Sequence, residues 1–252
     1  GGIVAGSIQP SAYELFQEGI RITPKKLYAR GELQSEIKEF LLSNVRIPDK
    51  NWGDLNAVVA ALGIAERRVQ TAVEKWGRDT VRAGRDALIA YAEQRTRAII
   101  RNMPDSVWGF EDCLEDDFVS DMPVRIKLRI CKDGPDGLHF DFTGSDPQVQ
   151  AAFNLATNGR HPFLCLAMFG FFRTRDPSLP INAGLIRPFR FTAPQGSIVN
   201  AAFPAATGVR YAVTQLIFTI VQGALAEIFP GEVPAAGAGQ ATIPAISTVD
   251  PD

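Results

Sequence analysis

The sequence has few of the residues from which disulfide frameworks and metal sites are built. Its 252 residues include three cysteines and two histidines. Cys113, Cys131 and Cys165 are odd in number and show no CxxC spacing. This pattern indicates reduced thiols rather than disulfides or a zinc site. We therefore expect a cytoplasmic protein.

Long apolar runs and an excess of positive charge are missing as well. The longest apolar run, Phe163 to Phe172, is too short to cross a bilayer and is predicted to be a buried helix. The 26 Lys and Arg residues are balanced by 28 Asp and Glu residues, which gives a net charge of −2. Because this balance does not favour nucleic-acid or membrane-surface binding, we expect neither a nucleic acid nor a membrane as a partner.

Motifs that mark nucleotide sites and activated nucleophiles do not occur in the sequence. The glycines within 1–6 and 236–239 match neither GxGxxG nor the Walker pattern. There is no GxSxG, and no Ser or Cys nucleophile with a suitably spaced His. The acidic run is interpreted as a solvated face, with a divalent-ion role as the less favoured alternative; it consists of Glu111, Asp112, Glu115, Asp116 and Asp117.

Apolar residues recur at helical spacing in the first half of the chain. The spacing predicts helices over 32–44, 50–76 and 79–102, with Asp49 and Asp79 as N-caps of the last two. Since only Gly77 and Arg78 separate these two helices, we expect an antiparallel helical hairpin. The apolar stripe of the first consists of Leu55, Val58, Val59, Leu62, Val69, Val73 and Trp76, and the inward residues of the second are Val81, Leu88, Tyr91, Ala92 and Ile99.

The hydrophobic period changes after residue 104. Residues 124–130 and 138–142 alternate between apolar and polar, which is typical of half-buried strands. Further elements are predicted as a helix from Pro162 to Arg173, a hairpin of 187–193 with 197–200, and a helix over 209–229. Together the elements predict an α+β fold, in which a long helical hairpin is followed by a mixed, mainly antiparallel sheet with packed helices.

These elements divide the chain into four predicted segments. Residues 1–48 form a positioned loop and a short helix, and 49–104 form the helical hairpin. Residues 105–232 form an α/β sheet domain, and 233–252 form an Ala/Gly-rich linker. Because the sequence starts and stops abruptly, we expect it to be a portion of a larger multidomain subunit.

The two predicted strands define a hairpin with a specific register. A turn centred on Gly134 places Lys127 opposite Asp141 and Arg129 opposite His139, with the apolar residues on the other face. His139 and Asp141 would share one face and could suggest catalysis or metal binding. The cross-strand ion pair favours a structural interpretation. His161, which precedes Pro162, is interpreted as a polar residue at a helix start, with metal ligation less favoured.

The best candidate for a binding site is the segment from Tyr13 to Pro24. Gly19 and Pro24 favour an ordered loop over a long helix, and loops frequently carry function. The polar residues of this loop are predicted to bind substrate, and they are Glu14, Gln17, Glu18 and Arg21. The alternative is that the loop is held by its own ion pairs.

Several blocks of the chain resemble the hydantoinase B/oxoprolinase family. The family includes B subunits of ATP-dependent N-methylhydantoinases, the C-terminal part of 5-oxoprolinases, and subunits of acetone and acetophenone carboxylases. The blocks that carry the resemblance, in the family's order, are Gly1-Gly2, Leu15 to Ile22, Asn44 to Pro48 with Gly53-Asp54-Leu55, Asp141 to Ser145, Asn154, Asn182 to Leu185, and Arg187-Pro188.

The resemblance implies a heteromeric, metal-dependent and ATP-dependent enzyme. A hydantoinase A-like subunit would bind ATP, and the divalent metal would be bound by upstream residues that are not in this chain. The backbone of Gly1 and Gly2 would lie beside the metal, and neither residue would bind it through a side chain. No metal ligand is therefore assigned to this chain. We therefore expect the chain alone to be inactive.

Two activities and one non-catalytic role follow from the resemblance. The favoured activity is ring opening of a cyclic amide such as a hydantoin or 5-oxoproline. The alternatives are a subunit of a ketone carboxylase of the acetone or acetophenone type, and an assembly module whose helices serve as a partner interface. The expected partners are the upstream segment of the same subunit, the ATP-binding subunit and a small-molecule substrate.

Overall fold

A four-stranded sheet forms the centre of the computed structural model, which describes residues 9–117 and 119–237. A separate two-stranded ladder joins β1 (Tyr28–Ala29) to β2 (Glu32–Leu33). The strands of the main sheet are β3 (Val107–Leu114), β4 (Val124–Asp133), β5 (Gly137–Asp141) and β6 (Phe189–Thr192). They lie side by side in this order, with the first two pairs antiparallel and the last pair parallel. The predicted α+β fold with a mixed, mainly antiparallel sheet is confirmed.

Five α-helices accompany the sheet in the described residues. They are α1 (Ser35–Ser43), α2 (Pro48–Trp76), α3 (Arg78–Arg101), α4 (Leu166–Arg175) and α5 (Arg210–Ala226). The positions of all five agree with the predicted helices. A 3₁₀ turn at Pro162–Cys165 replaces the first turn of the predicted helix before α4. The predicted caps are wrong, because α2 begins at Pro48 after Ile47 and α3 begins directly after Gly77. Asp49 and Asp79 lie in first turns instead, where the helix dipole favours an acidic residue.

The core lies between one face of the sheet and helices α4 and α5. Alternation along β4 and β5 buries Ile126, Leu128, Ile130, Leu138 and Phe140 completely, as the period-two pattern predicts. The buried face of α5 packs against them through Val213, Ile217, Ile220, Val221 and Ala224. The run from Phe163 to Phe172 is also largely buried. Burial of this apolar surface is the main stabilising contribution to the fold.

The register of the β4–β5 hairpin differs from the predicted one by two residues. Arg129, not Lys127, lies opposite Asp141, and Cys131 lies opposite His139. The turn is centred on Pro135 rather than Gly134, because Asp133 pairs with Gly137. A shift of two residues leaves every side chain on its predicted face. The hydrophobic pattern therefore could not distinguish the two registers.

Two further strand predictions need correction. Strand β3 was not predicted, since its acidic residues conceal the alternation that buries Trp108 and exposes Val107. Residues 187–193 and 197–200 do not form a hairpin. Instead β6 pairs in parallel with β5, because this arrangement places Phe191 and Phe189 against Phe140, with ring centroids 5.3 and 5.2 Å away.

The apolar stripe of α2 does not pack inward. Neither α1 nor α2 has a buried residue, and the buried residues of α3 are confined to its second half, at Ala92, Thr96 and Ile100. Leu62 is 65% exposed, and Leu88 of α3 is 58% exposed. Most side chains of α2 and of the first half of α3 therefore lie outside the core, and the prediction that Leu88 and Tyr91 point inward is wrong.

Residues 182–185 form a close contact with α3. Asn182 accepts a hydrogen bond from Gly184 N–H at 2.8 Å and donates one to the Leu88 carbonyl oxygen at 3.2 Å. A Cβ atom on Gly184 would overlap the Ile89 carbonyl oxygen and lie 2.9 Å from the backbone nitrogen of Glu93. Only glycine permits this close approach of two backbones.

Gly184→Ala is expected to lower the free energy of unfolding by about 1–3 kcal/mol, since the added methyl group forces the turn away from α3. Urea denaturation measures the change. The matched control is Gly170→Ala, where an added Cβ meets no atom within 4 Å. That variant lies within α4 and should be neutral or slightly stabilising. Equal stability of the two variants would contradict the packing argument.

A double-mutant cycle tests the observed register. Arg129 Nη2 lies 3.0 Å from Asp141 Oδ2, and the Arg129 side chain is 60% exposed. Arg129→Ala and Asp141→Ala should therefore couple by about 0.2–1 kcal/mol in the free energy of unfolding. The control cycle of Lys127→Ala with Asp141→Ala should show almost no coupling. A larger coupling for Lys127 would support the shifted register instead.

The same coupling should depend on pH in a defined direction. Burial raises the pKa of Asp141, but the hydrogen bonds from Thr143 and Arg129 outweigh it and hold that pKa below its ordinary value. The coupling should be complete above the ordinary Asp pKa of about 3.9 and disappear as the pH falls through the lower folded-state pKa.

Candidate functional site

The predicted binding loop is shaped by one glutamine side chain. Leu15–Gln17 form a 3₁₀ turn, and Gln17 Oε1 accepts hydrogen bonds from the N–H groups of Tyr13 at 2.7 Å and Glu14 at 3.3 Å. A Gln three residues after the start of a turn can reach back to these otherwise unpaired donors. Gln17 therefore fixes the local backbone of the loop.

The loop packs against residues 203–208, which lead into α5. Leu15 N–H donates to the Pro204 carbonyl oxygen at 2.7 Å, and the Phe16 ring meets the Phe203 ring edge-on with centroids 5.8 Å apart. The Arg21 guanidinium carbon lies 4.8 Å from the centroid of the Phe203 ring. This cation–π contact orients Arg21 while the residue remains exposed.

Glu18 joins the loop to the start of α5. Its Oε1 atom accepts hydrogen bonds from Thr207 N–H at 2.8 Å and from Gly208 N–H. A Cβ atom on Gly208 would lie 2.8 Å from the same oxygen, so glycine allows the carboxylate to approach. Thr207 and Gly208 lie just before Val209, the N-cap of α5. Glu18 therefore pairs two backbone donors of the loop that leads into the helix.

The four predicted substrate-binding residues thus lie together but in different environments. Gln17 and Glu18 are half-buried and hold the backbone, Glu14 is half-buried, and Arg21 is exposed. The contacts of Gln17 and Glu18 are hydrogen bonds to backbone rather than the ion pairs of the alternative interpretation. Gly1 and Gly2, which were expected beside a metal, lie outside the described residues.

The side-chain amide of Asn154 contacts the loop of residues 203–208, against which the predicted binding loop packs. The sequence did not indicate Asn154 as part of the site. Asn154 is fully buried. Its Oδ1 atom accepts from Val149 N–H at 2.8 Å, and its Nδ2 group donates to the carbonyl oxygens of Ala151 at 2.8 Å and Ala206 at 3.1 Å. Asn154 therefore fixes the position of Ala206 next to the Glu18 contact.

His139 and Asp141 do not form a catalytic pair. His139 Nε2 lies 2.8 Å from Thr192 Oγ1, whereas Asp141 binds Arg129 and the Thr143 N–H group. Burial, together with the nearby Arg190 guanidinium, lowers the pKa of His139 below its ordinary value. Each side chain has its own structural partner, as the favoured interpretation predicts.

The second histidine also has a structural role. His161 precedes the 3₁₀ turn at Pro162–Cys165, and its Nδ1 atom accepts from Phe163 N–H at 3.2 Å. The imidazole ring packs on the Phe163 ring with centroids 4.4 Å apart. The prediction of a polar residue at a helix start is confirmed.

The described residues do not fit a divalent-metal site. Within 9–117 and 119–237, no group of three or more His, Cys, Asp and Glu side chains could hold an ion. In the acidic run, Glu111 pairs with Lys127 at 3.6 Å, and Asp117 accepts from the N–H groups of Val119 and Ser120. The same part of the chain contains no helix long and apolar enough to span a membrane.

Comparison with known proteins relates the chain to enzymes that act on cyclic amides. A protein of Pseudomonas sp. (strain NS671), assigned as the B component of a D-/L-hydantoinase, is 32% identical over 94% of this chain and 41% of its own length. The crystal structure of the ATP-dependent caprolactamase from Pseudomonas jessenii superposes with a TM-score of 0.82 at 29% identity, over 92% of this chain and 40% of that one.

A nucleotide-free acetone carboxylase has the same fold. It superposes with a TM-score of 0.83 at 18% identity, over 95% of this chain and 33% of that one. The chain thus spans about two fifths or less of the length of these relatives. The family model described as hydantoinase B/oxoprolinase matches residues 1–252, and the chain belongs to that family.

Proposed function

We propose that this chain is part of the B subunit of an ATP-dependent cyclic-amide hydrolase, which opens the ring of a hydantoin, 5-oxoproline or a related lactam. The observation that supports the proposal is the family match over residues 1–252. The likeness to an ATP-dependent caprolactamase at 29% identity supports the same reaction class. These relatives share a substrate chemistry, since each named substrate is an amide closed into a ring.

In the proposed enzyme, ATP and the divalent metal are both bound outside the described residues. ATP is held by a hydantoinase A-like partner and supplies the phosphoryl group that activates the substrate. A divalent metal is held by residues upstream of this chain, with Gly1 and Gly2 beside it through their backbone.

We propose that the loop of residues 13–21 lines the substrate side of the complete subunit. Gln17 and Glu18 act there by positioning the loop, because their oxygens bind backbone N–H groups. Arg21 is then the side chain available to a ligand, because it is exposed, whereas the Glu14 side chain faces the Gln17 N–H group in a capping box. The planar guanidinium of Arg21 is suited to an anionic phosphate or carboxylate group, and its contact with Phe203 holds it in place.

The alternative activity is a ketone carboxylase. The acetone carboxylase resembles this chain at 18% identity, which shows a shared fold and not a shared substrate. The hydantoinase relative is 32% identical, so sequence favours a cyclic amide. The third candidate is a non-catalytic assembly module, which the exposed apolar face of α2 favours.

Purified complete enzyme, with all of its subunits, distinguishes the three functions. We expect ATP hydrolysis that depends on a cyclic amide, together with release of the ring-opened acid, when hydantoin, 5-oxoproline and caprolactam are supplied in turn. ATP hydrolysis that depends on acetone and bicarbonate would support the carboxylase. A complex that hydrolyses ATP equally with and without this chain would support the assembly module.

A pair of variants separates a positioning role of Glu18 from a direct role in catalysis. Glu18→Ala leaves the N–H groups of Thr207 and Gly208 unpaired, so it should lower the free energy of unfolding by about 1–3 kcal/mol. Glu18→Gln retains an oxygen acceptor and should keep most of the stability and the turnover number. Collapse of turnover in Glu18→Gln with unchanged stability would show that the charge acts on the substrate. Glu32→Ala, at an exposed position, is the control.

A further inference from the structure

Helix α2 carries an apolar seam with the spacing of a coiled coil. Its members are separated alternately by three and four residues, and they are Leu55, Val58, Leu62, Ala65, Val69, Ala72 and Trp76. Apolar residues repeated in this way lie along one face of a helix and fit between the side chains of a second helix. The seam covers three heptads, a length of about 32 Å at about 1.5 Å per residue.

The described part of the chain leaves most of this seam open. Val58, Leu62, Val69 and Trp76 are between 57% and 65% exposed. Leu55 and Ala72 of the seam are half-buried, as are Val59 and Val73, which lie beside it. The helix therefore uses mainly a neighbouring face for contacts within the chain and presents most of the seam to another molecule or segment. Such an exposed apolar face is typical of an interaction surface.

We propose that the seam is covered by α2 of a second copy of this chain, packed antiparallel about a two-fold axis. The first argument is volume. With Leu62 opposite the partner's Ala65, Leu55 lies opposite the partner's Ala72 and Val58 lies opposite the partner's Val69. Each of these facing pairs forms one layer of the interface, and each layer then combines a large with a small side chain or two side chains of intermediate size. Layers of nearly equal volume interdigitate without voids.

A parallel pair lacks this match. In register, it would place Leu62 against the partner's Leu62 and Ala65 against the partner's Ala65. Wide and narrow layers would alternate along the seam and leave cavities at the alanines. The antiparallel arrangement also makes both halves of the interface identical, as a two-fold axis requires.

Charge supplies the second argument. Asp54 and Lys75 immediately precede Leu55 and Trp76, and both are exposed. Because they are 21 residues apart, which is three heptads, they flank the same side of the seam. The antiparallel register places Asp54 beside the partner's Lys75, and symmetry repeats this ion pair at the other end. A parallel pair in register would instead place Asp54 beside the partner's Val59, where no ion pair can form.

A groove at the end of the seam fits the same arrangement. It has a volume of about 680 Å³, and its lining includes Trp76, Gly84 and Leu88. The register places the partner's Asn51 at the level of Trp76. One turn earlier is the partner's Ile47, a side chain that is 56% exposed in the chain itself. We assign this isoleucine to the groove. The proposed dimer concerns assembly and does not rest on the proposed function.

Disulfide trapping tests the register directly. The complete polypeptide that contains residues 1–252 is prepared with Cys113→Ser to remove an exposed thiol, and with Val58→Cys and Val69→Cys. The two new cysteines are 11 residues apart in one helix, which is about 16 Å and too far for an internal disulfide. Mild oxidation should therefore give a covalent dimer. The control, Val58→Cys with Gln70→Cys, should remain largely uncrosslinked.

Charge reversal measures the same interface without a covalent bond. Asp54→Lys should raise the dimer dissociation constant by about tenfold, since two ion pairs become repulsive. Adding Lys75→Asp should restore dimerisation. Glu74→Lys makes the same charge change away from the seam and should have no effect. No excess crosslinking over the control, no rescue, or a seam covered by another segment or a different subunit in the assembled enzyme would each overturn the proposal.

Discussion

The rest of the structure depends on the hydrogen bonds of the loop of residues 203–209, because segments that are distant in sequence contact one another there. Glu18 accepts from Thr207 N–H at a sequence separation of 189 residues, Asn154 donates to the Ala206 carbonyl oxygen, and Val209 N–H donates to the carbonyl oxygen of Ala152. These groups are half-buried or buried, and leaving any of them unpaired would cost more than the bond itself contributes. The loop is therefore fixed from both sides before α5 begins.

Sequence periodicity was sufficient to predict most elements and the buried faces of β4 and β5. Ile126, Leu128 and Ile130 alternate with charged residues and are fully buried, as expected. Periodicity could not fix the β4–β5 register, because a shift of two residues preserves both faces. It also could not reveal which partner the stripe of α2 packs against, since the pattern specifies a face and not a neighbour. In the site, the Gln17 contact with Tyr13 is local, whereas the position of Glu18 depends on a tertiary contact with Thr207 that local sequence does not encode.

Two of the blocks that resemble the family lie at contacts between distant segments. Asn154 binds three backbone carbonyl oxygens, and Gly184 allows the backbone to contact α3. Both residues act on the scaffold and not on a substrate. This explains how a cyclic-amide hydrolase at 29% identity and a ketone carboxylase at 18% identity can both superpose on the chain with TM-scores above 0.8. A shared scaffold permits different chemistry at the site that it supports.

The proposed binding loop lies in the part of the chain that buries the least apolar surface. No residue between 13 and 91 is buried, although this stretch includes the loop, α1, α2 and most of α3. A segment that buries so little apolar surface gains little stability from the chain itself, so its order depends on what covers it. The loop precedes α1 and α2 directly in sequence, and its other anchor is the loop of residues 203–209. Any molecule that covers the α2 seam therefore also restrains the chain that leads from Arg21 into the helices.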